Sequence, residues 1–67
     1  MDIADVKKNL NKIVLYANRD MQSSPYVFTG CILRREKNNF YYQAELKDTK
    51  ANSILIVELE AIRALEE

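Results

Sequence analysis

The feature that most constrains this chain is a pair of strand-like segments with two asparagines between them. Residues 26–36 and 40–48 are rich in β-branched and aromatic side chains. Asparagine adopts positive φ angles more readily than most residues, so Asn38-Asn39 predicts a two-residue hairpin turn. We therefore expect the centre of the chain to be an antiparallel hairpin.

A turn at Asn38-Asn39 also predicts which residues face each other across the hairpin. It sets Arg35 opposite Tyr42 and Cys31 opposite Leu46. Side chains alternate between the two faces of a strand, so this register gives the hairpin one apolar face and one mixed face. The apolar face carries Cys31, Leu33, Tyr42, Ala44 and Leu46. Such a pattern is typical of an antiparallel pair that is buried on one side only.

The N-terminal part of the chain has two interpretations. Apolar residues at helical spacing predict a helix over residues 2–10, with Asp2 as its N-cap. A β-branched and aromatic run follows Asn11, a weak helix former, so we expect a break there and a strand over residues 12–17. In the alternative, one long helix runs to about residue 19 and packs on a three-stranded antiparallel meander.

The remaining segments complete a mainly β fold with an N-terminal helix, a small and bent antiparallel sheet. Residues 18–25 are polar and include a proline, which predicts a loop. Gly30, inside the first hairpin strand, indicates a bulge or a tight bend. Residues 53–59 predict a strand that is apolar on both faces. Residues 60–65 predict either a helical turn that leads into a very short strand or a short C-terminal helix.

This layout resembles the small β-barrels of SH3-like and Sm-like domains. The segments that carry the resemblance are residues 28–33, 40–46 and 56–62, 20 of the 67 residues. The resemblance implies a binding module that assembles into dimers or rings. The RNA-contacting segments of the Sm family are not recognisable in this sequence, so no RNA-binding residue is carried over from it.

The size of the chain favours self-association. A chain of 67 residues is expected to form one small domain over residues 1–67, and such a domain buries only about 60% of the surface that its unfolded chain exposes. One cysteine excludes an intrachain disulfide, and the lack of histidine removes a common metal ligand. We therefore expect no metal and no cofactor, and contact with a second copy is the remaining aid to stability.

The composition predicts a non-enzymatic binding module that self-associates and that also contacts another, unidentified protein. Cys31, the one thiol, has no histidine to act as its base, so no catalytic residue is expected. Segments 26–28 and 54–57 are apolar on both faces, more than so small a chain can bury. The candidate residues for self-association are Tyr26, Phe28, Ile54 and Ile56.

The alternative function is nucleic-acid binding through a basic and aromatic surface of the hairpin. The candidate contacts, for nucleic acid or for another protein, are Arg34, Arg35, Lys37 and Tyr41. Against nucleic acid stands the net charge, which is zero with ten basic and ten acidic residues. Charges at a hairpin tip also serve solubility and protect an edge strand, with no partner involved.

The sequence further predicts a cytoplasmic protein with no membrane contact. No apolar run approaches the roughly 20 residues of a membrane span. The first residues do not follow the basic-then-apolar order of a signal peptide. A single free thiol is consistent with a reducing compartment.

Overall fold

The computed structural model describes residues 1–17 and 22–65, which form an open antiparallel sheet of five strands behind a short N-terminal helix. The strands are β1 (Ile13–Ala17), β2 (Ser23–Glu36), β3 (Asn39–Asp48), β4 (Ser53–Glu58) and β5 (Ile62–Ala64). Their order across the sheet is β4-β3-β2-β1-β5. The predicted mainly β fold with an N-terminal helix is confirmed at this level. In this part of the chain, no helix has the length and apolar character that crossing a bilayer requires.

The N-terminal segment is helical where the sequence predicts it, but only half of it is α-helix. A 3-10 turn over Ile3–Asp5 leads into α1 (Val6–Asn9), and Asp2 Oδ1 accepts a hydrogen bond of 3.0 Å from the Ile3 N–H. The break at Asn11 is confirmed, since this residue has a φ of 66°. Its N–H donates to the Phe28 carbonyl at 2.6 Å, which directs the chain into β1. The alternative of one long helix is therefore wrong.

The central hairpin forms as expected, but its turn lies one residue earlier than predicted. The turn residues are Lys37 and Asn38, and Lys37 takes the positive φ, 56°. Arg35 consequently lies opposite Phe40 rather than Tyr42, and Cys31 lies opposite Ala44 rather than Leu46. Between Gly30 and Glu36, each residue of β2 therefore pairs with a β3 residue two positions away from the predicted one. Since side chains alternate with a period of two, the same residues lie on the apolar face and on the mixed face as predicted.

Burial of one long-range pair explains the observed register. Phe28 lies opposite Leu46, and both side chains are completely buried. The predicted bulge is confirmed between Phe28 and Gly30, where Thr29 is the extra residue. Thr29 Oγ1 lies 2.8 Å from Glu45 Oε1, so the bulge carries its own polar contact. The φ angle of Gly30 is not positive, so its backbone conformation does not require glycine. A Cβ at this position would meet Glu45 Oε1 at 3.6 Å, an ordinary contact, so the space around it does not require glycine either.

The predicted loop over residues 18–25 is wrong at its C-terminal end. Ser23, Ser24 and Pro25 belong to β2 and pair with β1, whereas residues 18–21 lie outside the described part of the chain. The sequence argument failed because proline is rare inside a sheet. β3 begins to pair with β2 only at Val27, so β2 has one open side at Pro25, where a missing N–H is tolerated.

A very short connection between the two edge strands bends the sheet. The chain leaves β4 through a 3-10 turn over Leu59–Ala61 and enters β5, which confirms the first of the two expectations for residues 60–65. β4 ends at Glu58, one residue before its predicted end, because Leu59 starts this turn. In a flat sheet these edges would lie roughly 19 Å apart. Four Cα–Cα steps from Glu58 to Ile62 span at most about 14 Å, so the sheet must curve.

The curvature gives the sheet an inner face, which holds the core, and an outer face. The core consists of Val6, Val14, Phe28, Ala44, Leu46, Leu59 and Ile62. Val6 comes from α1, so the helix covers part of the inner face. The Met1 backbone nitrogen donates to the carbonyls of Leu59 and Ile62, at 3.0 and 2.7 Å. These contacts hold the start of the chain against the turn between β4 and β5.

Candidate interaction surfaces

The edge strand β4 exposes two of the four residues that the sequence singled out for self-association. Leu55 and Val57 point to the inner face, where they pack against the core. Ile54 and Ile56 point to the outer face and are 55% and 43% exposed. The sequence predicted that β4 is apolar on both faces, and the described part of the chain leaves much of its outer face exposed.

The two edges of the sheet differ in how well they are protected from pairing. Within the described residues β4 pairs only with β3, so its far side presents free backbone N–H and C=O groups over six residues. From Ser53 to Val57 this edge carries no charge and no proline, the usual protections. β5, the other edge, has three residues and carries Arg63 at its centre. β4 is therefore the edge that is open to a further strand.

The other two candidate residues for self-association lie on the inner face. Phe28 is completely buried, so its selection as a contact residue is wrong: it is a core residue and offers no surface to a partner. Tyr26 is half-buried, and its ring packs edge-on against Tyr16, with 6.1 Å between centroids and 68° between planes. The spacing of two between Tyr26 and Phe28 places them on one face, which the core occupies.

The basic and aromatic residues of the hairpin divide between its two faces. Arg34 lies directly opposite Tyr41, and both point to the outer face. The Arg34 Nε–H donates to Gln43 Oε1 at 2.9 Å, and the Gln43 amide donates to Glu58 Oε1 at 3.2 Å. This chain of contacts crosses three strands and ends on a carboxylate, so the outer face carries a negative charge beside the basic one.

Arg35 belongs to a different surface from Arg34, and Lys37 lies in the turn. The Arg35 Nε–H donates to the Lys37 carbonyl at 3.0 Å. The Arg35 guanidinium lies over the ring of Phe40, 6.0 Å from its centroid. Side-chain alternation explains the separation, since Arg34 and Arg35 are consecutive in a strand. The predicted set of four residues therefore divides: Arg34 and Tyr41 share the outer face, Arg35 lies on the inner face, and Lys37 lies in the turn.

A second exposed apolar surface, which the sequence did not predict, lies on the inner face of the hairpin's outer end. We call residues 33–42 the hairpin arm. Its exposed side chains are Leu33 (57%), Phe40 (64%) and Tyr42 (38%). Tyr42 lies on the inner face, as predicted, but its side chain is exposed because the core does not extend this far along the hairpin. A comparison of lengths could have shown this, since β4 is much shorter than the hairpin strands.

The base of the hairpin arm is acidic. A depression there is lined by Met1, Asp2, Ile3, Tyr41, Tyr42, Glu58, Leu59 and Glu60. Three of these residues carry carboxylates and Met1 carries the N-terminal ammonium, so the net charge of the lining is negative. Across residues 1–17 and 22–65, no group of three or more Cys, Asp or Glu is placed to hold a metal ion. The carboxylates are thus a source of negative charge beside the apolar surface of the arm.

Cys31 has the environment of a structural residue. Its thiol is half-buried against the core, and burial raises the pKa of Cys31 above its ordinary value. A raised pKa leaves little thiolate at neutral pH, and the thiolate is the reactive form.

The basis for a functional assignment is the geometry of these surfaces. Comparison with protein-family models, with curated proteins and with solved structures finds no match to this chain.

Proposed function

We propose that this protein is a small, non-enzymatic binding module that self-associates through β4. The observation that carries the proposal is the unprotected edge of β4, whose outer-face residues Ile54 and Ile56 are 55% and 43% exposed. Both residues were candidates for self-association on the sequence alone. A second strand that pairs with β4 would bond its free backbone groups and cover both isoleucines.

The charges around β4 favour a second copy of this chain as its partner. Pairing of two β4 strands about a two-fold axis perpendicular to the sheet keeps inner and outer faces continuous. Centred on Leu55, this pairing places Ile54 opposite Ile56 of the second copy and Glu58 opposite Asn52. The isoleucines thus form one apolar cluster, and no two like charges face each other.

We further propose that the fold is a small barrel of the SH3-like or Sm-like kind. Two observations support this proposal: the strand order β4-β3-β2-β1-β5, and the 3-10 turn that joins the two edge strands directly. The bend that this turn imposes is the first step in closing a sheet.

Light scattering coupled to size exclusion tests the self-association. We expect the mean mass of the wild-type protein to exceed that of one chain and to increase as the concentration is raised. A constant monomer mass up to high concentration would remove the proposal. Salt serves as the control, since apolar association is expected to persist at an ionic strength that screens surface charges.

A second candidate function is nucleic-acid binding by the outer face of the hairpin arm. The specific observation in its favour is that Arg34 and Tyr41 lie opposite each other in the hairpin and share its outer face. We expect retardation of single-stranded RNA at low salt, and about tenfold weaker binding for Arg34→Ala. Lys7→Ala, which removes a charge from α1, is the matched control. An RNA that migrates unchanged at low salt would exclude this candidate.

A further inference from the structure

The hairpin arm extends beyond the rest of the sheet. β4 pairs with β3 only from Gln43 to Asp48, so residues 39–42 of β3 have β2 as their one neighbour among the described strands. The molecule is elongated accordingly, with dimensions of 37 × 23 × 22 Å. A two-stranded hairpin is only marginally stable in water unless its apolar face is covered. The arm therefore presents an apolar face that residues 1–17 and 22–65 leave exposed.

Charge changes sign along this face. At the tip, Arg35 lies across from Phe40, and its Nε–H is bonded to the Lys37 carbonyl. The middle consists of the Leu33–Tyr42 pair, which is uncharged. At the base, Tyr42 borders the depression that Asp2 and Glu60 line. The surface thus runs from basic through apolar to acidic.

We propose that the inner face of the hairpin arm packs against the same face of a second copy, about a two-fold axis that passes near Leu33 and Tyr42. When this axis lies between the two faces and runs across the strands, it brings each surface onto its own image with the strand direction reversed. The basic tip of one copy then meets the acidic base of the other twice, and the apolar residues meet in the middle. The inference rests on the proposed self-association, but it assigns a surface separate from β4.

The exposed area is consistent with a weak, specific dimer. From their exposed fractions, Leu33, Phe40 and Tyr42 offer roughly 300 Å² of side-chain surface per protomer. Two copies contribute about twice that, to which the Arg35 stem and the rim add, so the total approaches the low end of specific interfaces. The Arg35 guanidinium is already held over Phe40, so little side-chain freedom remains to be lost on association.

Charge reversal and mixing test this interface. All proteins in the test carry Ile54→Lys and Ile56→Lys, so that pairing through β4 does not contribute, and this parent is expected to form a concentration-dependent dimer by sedimentation. Arg35→Glu alone and Glu60→Lys alone are each expected to weaken the dimer about tenfold. In a two-fold dimer, each substitution replaces an attractive charge contact by a repulsive one at two symmetric places. Lys47→Glu, an exposed reversal on the outer face, is the matched control and should leave the dimer unchanged.

The mixture is the decisive sample. When the Arg35→Glu and Glu60→Lys proteins are combined, both ion pairs of the heterodimer are again attractive, so the affinity should return to within about twofold of the parent. A parent that is monomeric throughout, single reversals that dimerise like the parent, or a mixture that does not recover would each overturn the inference. If instead the β4 proposal is wrong, the wild-type protein and the parent with Ile54→Lys and Ile56→Lys would have the same mass in solution.

Discussion

Phe28→Ala is expected to leave the protein largely unfolded at room temperature. The Phe28 side chain is completely buried, and its neighbours in the core include Val14, Leu46 and Ile62. Truncation of a buried phenylalanine costs about 3–5 kcal/mol, because the cavity collapses only in part. A single core in a chain of 67 residues rarely supplies more than about 3–5 kcal/mol of stability, so this one substitution removes most or all of it.

The matched control for this variant is Phe40→Ala, the same chemical change at a side chain that is 64% exposed. We expect Phe40→Ala to lower the free energy of unfolding by less than about 1 kcal/mol. Urea denaturation followed by circular dichroism, at a concentration where the protein is monomeric, measures both. If Phe28→Ala and wild type unfold at the same urea concentration, the core described above is wrong.

Combined replacement of Ile54 and Ile56 by lysine is expected to reduce the mean mass of the assembly by half or more. Each of the two positions faces the other across the proposed β4–β4 pair, so four lysines would crowd where four isoleucines had packed. Lysine on an edge strand is a common protection against pairing, and both side chains are already exposed, so the fold itself should persist. Light scattering reports the mass, and circular dichroism verifies the fold.

Ile13→Lys provides the control for the edge variants. Ile13 is 40% exposed and shares the outer face, but it lies in β1, which has a strand on each side. The substitution adds a charge to the same face without altering the β4 edge, so the mass should stay that of wild type. An unchanged mass for the double lysine variant would show that β4 is not the contact surface.

The local pattern of the sequence was sufficient for most of the fold. The β-branched and aromatic run after Asn11, a weak helix former, predicted β1 although helical spacing of apolar residues continued as far as Ala17. Gly30 correctly predicted the bulge, although its backbone angles do not require glycine. Pro25 misled the prediction, since whether a proline fits a strand depends on which neighbours that strand has at that point.

The candidate surfaces could be predicted only in part, because exposure depends on neighbours in space. The alternation of side chains correctly assigned Leu33 and Tyr42 to the face that holds the core. Nothing in that alternation shows that β4 ends before reaching them, which leaves both exposed. Phe28 was predicted to lie on a contact surface, but it is buried in the core. As an apolar residue in a strand it fits either a contact surface or a core, and only the packed structure distinguishes them.

By itself, then, the sequence predicted the first four strands along the chain, the bulge, and the division of each hairpin strand into two faces, because these depend on residues near one another in the chain. The tertiary structure decided the register, since moving the turn by one residue keeps every side chain on its face and only burial of Phe28 against Leu46 distinguishes the two pairings. It also decided which apolar residues remain uncovered, because that depends on how far β4 and α1 reach over a longer hairpin.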